Sequence, residues 1–144
     1  MKVFCQVFTI ASLITFLLTS NVFAQQIYSE PERPDQQEEA TIFFDATKCD
    51  CPLSDHNGDL WAHTGVIFEG SSTWRNVIGS WGQNDIQPQL QHLGNGLYSL
   101  QITSSIEDFY NVNNQDIRQM AFVFRNAQGD EQTAGLSFDV FQNS

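Results

Sequence analysis

A chain of 144 residues with seventeen acidic and six basic side chains carries a formal charge of −11. With 41% of it apolar, it is long enough for one domain with a modest core. So acidic a chain has little with which to neutralise phosphates, which argues against nucleic acid and anionic membrane surfaces as partners.

Residues 1–24, MKVFCQVFTIASLITFLLTSNVFA, place Lys2 before an apolar run that ends in Val22-Phe23-Ala24. A basic start, an apolar stretch and a small-residue exit are the order of a secretory signal peptide cut after Ala24. The rival is a membrane anchor, because the apolar run approaches spanning length. The small exit residue and the polar continuation favour cleavage. Cys5 lies in the basic end, far from the exit, and is not placed for lipid attachment. The expected mature chain is secreted, periplasmic or at the cell surface, with no membrane segment left. Seventeen acids and five bases (Arg33, Lys48, Arg75, Arg118, Arg125) then give it −12.

Residues 25–39, QQIYSEPERPDQQEE, hold two prolines, five acids and four glutamines and little to bury. Such composition predicts a disordered acidic arm, with one folded domain over 40–144. ATIFFDAT (40–47) alternates Ile42, Phe44 and Ala46 against Thr41, Phe43 and Asp45, the pattern of a half-buried strand. KCDCP follows, with Cys49 and Cys51. Outside the cytoplasm two cysteines default to a disulfide, local or intermolecular. This spacing allows only a small ring, so free thiols and metal or redox roles stay open. DLWAHTGVIF (59–68) sets Leu60, Ala62, Thr64, Val66 and Phe68 on one face and Trp61, His63, Gly65 and Ile67 on the other. TWRNVIGSW (73–81) and QLQHL (89–93) are further strand candidates. GNG at 94–96 signals a hairpin into LYSLQI (97–102), whose Tyr98, Leu100 and Ile102 point inward. SSIEDFYNV (104–112) breaks the alternation, and a Ser cap with acids behind it predicts one helical turn. RQMAFVFRN (118–126) and LSFDVF (136–141) are the last strands, with Met120, Phe122 and Phe124, then Leu136, Phe138 and Val140, in phase. Seven short strands and no long helical pattern predict an all-β, antiparallel, immunoglobulin-like sandwich.

Patterns that carry catalysis are missing: no GxSxG elbow, no HExxH and no glycine-rich phosphate loop. Glu107-Asp108 are adjacent rather than facing across a cleft, and read as charges favoured by a helix dipole. No enzyme is expected. Asp55, Asn57 and Asp59 alternate oxygens as a calcium loop would, but the glycine falls one place early and Val66 stands where an EF-hand has Glu. An Asx-rich turn is the simpler reading, and calcium is the one cofactor the loop leaves open. His56, His63 and His92 have no ligand spacing between them.

What stands out is aromatic side chains in polar company. Trp61, Trp74, Trp81, Tyr98, Phe109 and Tyr110 are more than so small a sandwich needs at its surface. Flat rings with amide and carboxyl neighbours suit a ligand with an apolar face and a polar rim, as a sugar has. Trp74, Trp81, Asn84 and Asp85 are the leading candidates, with Trp61 and His63 next. The competing role for each ring is core packing. Positions 74 and 81 are an odd number apart, so on one regular strand their indoles face opposite ways. A bulge at Gly79-Ser80 would bring both to one face. The regular strand is the favoured reading, with Trp74 inside and Trp81 at the rim.

Six segments in order, TIFFDAT, GDLWAHTGVI, NVIGSWGQND, GLYSL, SIEDFYNV and AFVFRNAQGD, resemble a domain of secreted Bacteroidetes proteins often attached to alpha-amylase-type glycoside hydrolases. They span residues 40–130. The resemblance implies an immunoglobulin-like, starch-binding-type sandwich that binds an alpha-glucan polysaccharide or oligosaccharide without catalysis. Partners it implies are a secreted glycoside hydrolase or an outer-membrane glycan-uptake protein. KCDCP departs from the glycine- and asparagine-rich loop of such domains, and the expected protein is a stand-alone module with no catalytic or sorting domain after residue 144. Such domains also serve as spacers, so the alternative is an exported structural or protein-interaction module of a surface complex.

Overall fold

The computed structural model describes residues 25–142. Among them the strands are β1 (Ile27–Glu30), β2 (Ala40–Asp45), β3 (Trp61–Phe68), β4 (Trp74–Arg75), β5 (Gln91–Gly94), β6 (Leu97–Ile102), β7 (Ile117–Arg125) and β8 (Leu136–Asp139). They form two antiparallel four-stranded sheets, β1-β2-β6-β5 and β4-β3-β7-β8. Lettered A to G in chain order, with β4 as C′, this is ABED packed on C′CFG, the immunoglobulin-type arrangement. The expected fold class is what the chain adopts, with eight described strands instead of seven. The leader expected over 1–24 lies outside the described residues, and no described helix is long and apolar enough to cross a membrane.

The core follows the alternation. Ile42 and Phe44, Leu60, Ala62 and Val66, Tyr98, Leu100 and Ile102, and Met120, Phe122 and Phe124 are all buried between the sheets. Phe44 meets Phe124 across the sandwich at 4.6 Å between ring centroids. Thr64 faces this core, and its hydroxyl donates to the Ala121 carbonyl at 2.7 Å. Its single proton is thereby committed, so the buried Tyr110 hydroxyl is the donor in their 2.7 Å contact. Burial holds the Tyr110 phenol well above the ordinary tyrosine range. Helix α1 (Ile106–Phe109) is the helical turn expected, with Ser105 as its cap accepting from the Asp108 amide at 3.1 Å.

Residues 25–39 correct the expectation of a disordered arm. Ile27 to Glu30 pair with Phe44 to Thr41 as the edge strand of the first sheet. Gln36 is buried and ties three distant segments together. Its carboxamide oxygen accepts from the Ile117 amide at 2.9 Å and from Gln142 at 2.7 Å, while its nitrogen donates to Glu107 at 3.1 Å. These are polar contacts, and a reading based on apolar content is blind to them. Cys49 and Cys51 are bonded to each other, so the bridge is local.

The second correction concerns 73–81. Only Trp74 and Arg75 pair with β3, opposite Ile67 and Val66. Asn76 then takes φ 50°, Gly79 φ 65° and Gly82 φ 83°, left-handed values that end the strand and fold the chain back. The ends of the segment 76–90 run along the edge of β3, with the Ile78 amide donating to the Thr64 carbonyl at 3.0 Å and the Ala62 amide to the Pro88 carbonyl at 2.9 Å, and its side chains reach over the outer face. This explains why both faces of β3 are covered rather than one.

Candidate functional site

The face of β3 turned away from the core carries Trp61, His63, Gly65 and Ile67. Antiparallel register sets Arg125 of β7 opposite Trp61 and Val123 opposite His63. A Cβ at Gly65 would lie 2.7 Å from the Arg75 carbonyl oxygen and 2.9 Å from a Val77 methyl, so glycine is what lets 76–90 settle on this face. The segment lays Trp81, Asn84 and Gln87 over the two strands.

Arg125 is the hub, and it is fully buried. Its Nε and Nη2 donate to the Gln87 carboxamide oxygen at 2.9 and 2.7 Å. Nη1 donates to Asn84 Oδ1 at 2.7 Å and to the Asn126 carbonyl at 3.0 Å. Its Cζ lies 5.9 Å from the Trp61 ring centre and 5.7 Å from that of Trp81. No carboxylate pairs with it among the described residues. The cation is stabilised by amide oxygens and indole faces instead. Burial lowers its pKa, but a guanidinium stays charged at any ordinary pH.

Two of the six candidates, Trp74 and Trp81, flank a third, His63. Its ring stacks near Trp74 with centroids 5.8 Å apart and meets Trp81 edge-on at 5.3 Å. Gln87 Nε2 approaches His63 Nδ1 at 2.7 Å. Burial first, and the Arg125 charge second, hold the imidazole below the ordinary histidine range, so it is neutral at pH 7. Trp61 is buried, and its Nε1 donates to the Asn84 carbonyl at 3.1 Å. Asn84 also donates through Nδ2 to the Ala127 carbonyl at 3.0 Å. Both ends of its side chain are therefore committed within the protein, and it supports the site rather than lying open to a ligand. Asp85 is exposed on the same segment and makes no side-chain hydrogen bond or ion pair to a described residue.

Trp74 and Trp81 thus reach the same face, by departure of the chain from the sheet after Arg75 and not by a bulge within a continuous strand. Trp74 is half-buried on the outer face, which corrects its expected place inside, whereas Trp81 is 43% exposed, at the rim as expected. Gly129 approaches the Trp81 nitrogen so closely that a Cβ there would lie 3.0 Å from it. The 126–131 turn therefore braces the indole.

Gln87 and Arg125 were not among the candidates. Arg125 falls out of phase with inward-facing Phe122 and Phe124, which does place it outside the core. That Trp61 would stand opposite it required knowing that β3 pairs with β7. Gln87 lies in no periodic segment and left no signal.

The other marked features lie elsewhere. Asp55, Asn57 and Asp59 are exposed, and His56 contacts Glu131 at 3.6 Å. Among the described residues no three His, Cys, Asp or Glu side chains gather as a metal site would require. Glu107 is engaged by Gln36, and Asp108 lies in the first turn of α1. A groove of about 650 Å3 lies where β1 and β8 approach, lined by Ile27, Gln119, Phe138 and Phe141 among others, and no tryptophan contributes to it. No protein-family model matches the chain, and a search of curated proteins returns no match.

Proposed function

We propose that this domain is a non-catalytic glycan-binding module whose contact surface is formed by Trp74, His63 and Trp81. The observation that carries the reading is Trp81, an indole 43% exposed on a face whose other groups are held rigid by Arg125. A sugar stacks its apolar C–H face on such a ring and satisfies its hydroxyls from polar groups at the edge. A pre-formed aromatic surface loses little side-chain entropy on binding, which favours weak ligands of repeating structure. The six-segment resemblance points to an alpha-glucan, to an exported location, and to a glycoside hydrolase or glycan-uptake protein as companion. The test is electrophoresis of the purified protein through gels containing starch, glycogen or xylan, beside Trp81→Ala and Trp74→Ala. Retardation of the parent and its loss in Trp81→Ala is the expected result. Free migration on every glycan would remove the reading.

A second reading, a protein-interaction module, is favoured by Val77 and Ile86, which are 37% and 52% exposed on the same segment as Trp81. Aliphatic side chains beside an indole suit a protein surface better than a sugar. Capture of an exported protein by this face, undiminished by competing glycan, would support it.

A further inference from the structure

Arg125 presents only N–H groups, so the Gln87 carboxamide must turn its oxygen toward it, as the 2.9 and 2.7 Å contacts require. Its NH2 group is then left facing His63 Nδ1 at 2.7 Å and the Ile78 carbonyl at 3.4 Å. A carboxamide nitrogen donates and does not accept, so Nδ1 is the acceptor and carries no proton. The neutral imidazole therefore holds its proton on Nε2. That nitrogen has no partner among the described residues. Yet no side-chain nitrogen or oxygen sealed from solvent lacks a partner there, so Nε2 is open to solvent. The result is an unpaired N–H on a ring flanked by Trp74 and Trp81.

We propose that His63 Nε2–H is the hydrogen-bond donor through which this surface recognises an acceptor oxygen of a neutral, hydroxyl-bearing sugar, and that Gln87 and Arg125 are the positioning residues that keep the proton on Nε2. The proposal rests on the glycan reading of the Trp74–Trp81 surface. A stacked sugar with a ring or hydroxyl oxygen over His63 gives this N–H its acceptor. A protonated amino sugar is disfavoured twice, because it brings a donor to a donor and a cation toward Arg125. Of the charged groups on the elements around the ring, Arg125 of β7 is in the network. Arg75 of β4 and Asp85 of the 76–90 segment are exposed.

The experiment combines 15N NMR of the imidazole nitrogens in the purified, labelled protein with affinity measurements on whichever glycan retards the parent. The parent should show Nδ1 bare and Nε2 protonated; the opposite tautomer overturns the proposal. His63→Phe keeps a flat ring but removes the donor, and should weaken binding about five- to tenfold, the worth of one neutral hydrogen bond. Unchanged affinity in that variant overturns the donor role while leaving the aromatic reading intact. A parent that binds no glycan removes both. Gln87→Glu keeps the acceptor for Arg125 but offers His63 only oxygen, so the proton should move to Nδ1. Measured above the imidazole titration, its affinity should fall as in His63→Phe, then recover on acidification as Nε2 regains a proton. The parent, whose Nε2 carries a proton in either state, should show no such recovery. A proton that stays on Nε2 in Gln87→Glu, or a pH profile parallel to the parent's, overturns the positioning role.

Discussion

The Gln87 carboxamide oxygen accepts two hydrogen bonds from the buried Arg125 guanidinium, at 2.9 and 2.7 Å, and through this pair a loop is locked to a sheet. Gln87 belongs to the long 76–90 segment and Arg125 to the end of β7, 38 residues apart in sequence. That contact acts beside the backbone bonds that join Ile78 to Thr64 and Pro88 to Ala62.

Arg125→Ala should therefore be among the more damaging single changes. It leaves the Gln87 and Asn84 carboxamide oxygens buried or part-buried without their charged donor, and opens a void between Trp61 and Trp81. The expected loss is about 3–5 kcal/mol, the range for breaking a buried charged network. Urea denaturation followed by far-UV circular dichroism measures it. A loss below about 1 kcal/mol would mean the network contributes little.

His63 should make stability fall on acidification. Its folded pKa is lowered, so the folded state resists a proton that the unfolded chain accepts from about pH 6.5 downward. Stability from this group is present above that value and is lost as pH falls through the folded pKa. Thermal melts between pH 7.5 and 4.5 should show a decline that His63→Phe makes shallower, because the carboxylates common to both proteins cancel in the difference. Parallel curves would refute the assignment.

Acrylamide quenching should resolve the three indoles. Trp81 is exposed, Trp74 half-buried and Trp61 buried. Trp81→Phe should abolish most of the readily quenched, red-shifted emission, whereas Trp61→Phe should remove a shielded component. Equal quenching before and after Trp81→Phe would contradict the placement.

Gln36→Ala tests whether residues 25–39 belong to the fold. It strands the Ile117 amide and releases Glu107 and Gln142. A cost of about 2–3 kcal/mol is expected, from one unsatisfied buried amide and the loss of bonds to two side chains. A truly disordered arm would give no change in the urea midpoint.

The alternation of Ile42 and Phe44, of Tyr98, Leu100 and Ile102, and of Met120, Phe122 and Phe124 was legible because burial on one sheet face imposes period two directly on the chain. The Ser105 cap and the GNG hairpin were legible because each is a local hydrogen-bonding or backbone requirement. Residues 25–39 read as an arm because their anchors are sparse in sequence: backbone pairing of β1, the polar bonds of Gln36, and only Ile27 against the core and Tyr28 stacked on Phe43. The TWRNVIGSW segment was read too long because β-branched and aromatic residues favour strands wherever they stand, and only the left-handed turns at Asn76 and Gly79 stop the pairing.

By itself, then, the amino-acid order determined the class of fold, the faces of the long strands and the suspicion attached to Trp61, His63, Trp74, Trp81 and Asn84. Tertiary structure alone decided that Trp74 and Trp81 share a face, that Asn84 is committed inward, and that His63 sits under Gln87 and Arg125 with one N–H open. Those are consequences of which strands pair and where a long segment folds back. Both depend on contacts between residues far apart in the chain, which no local period records.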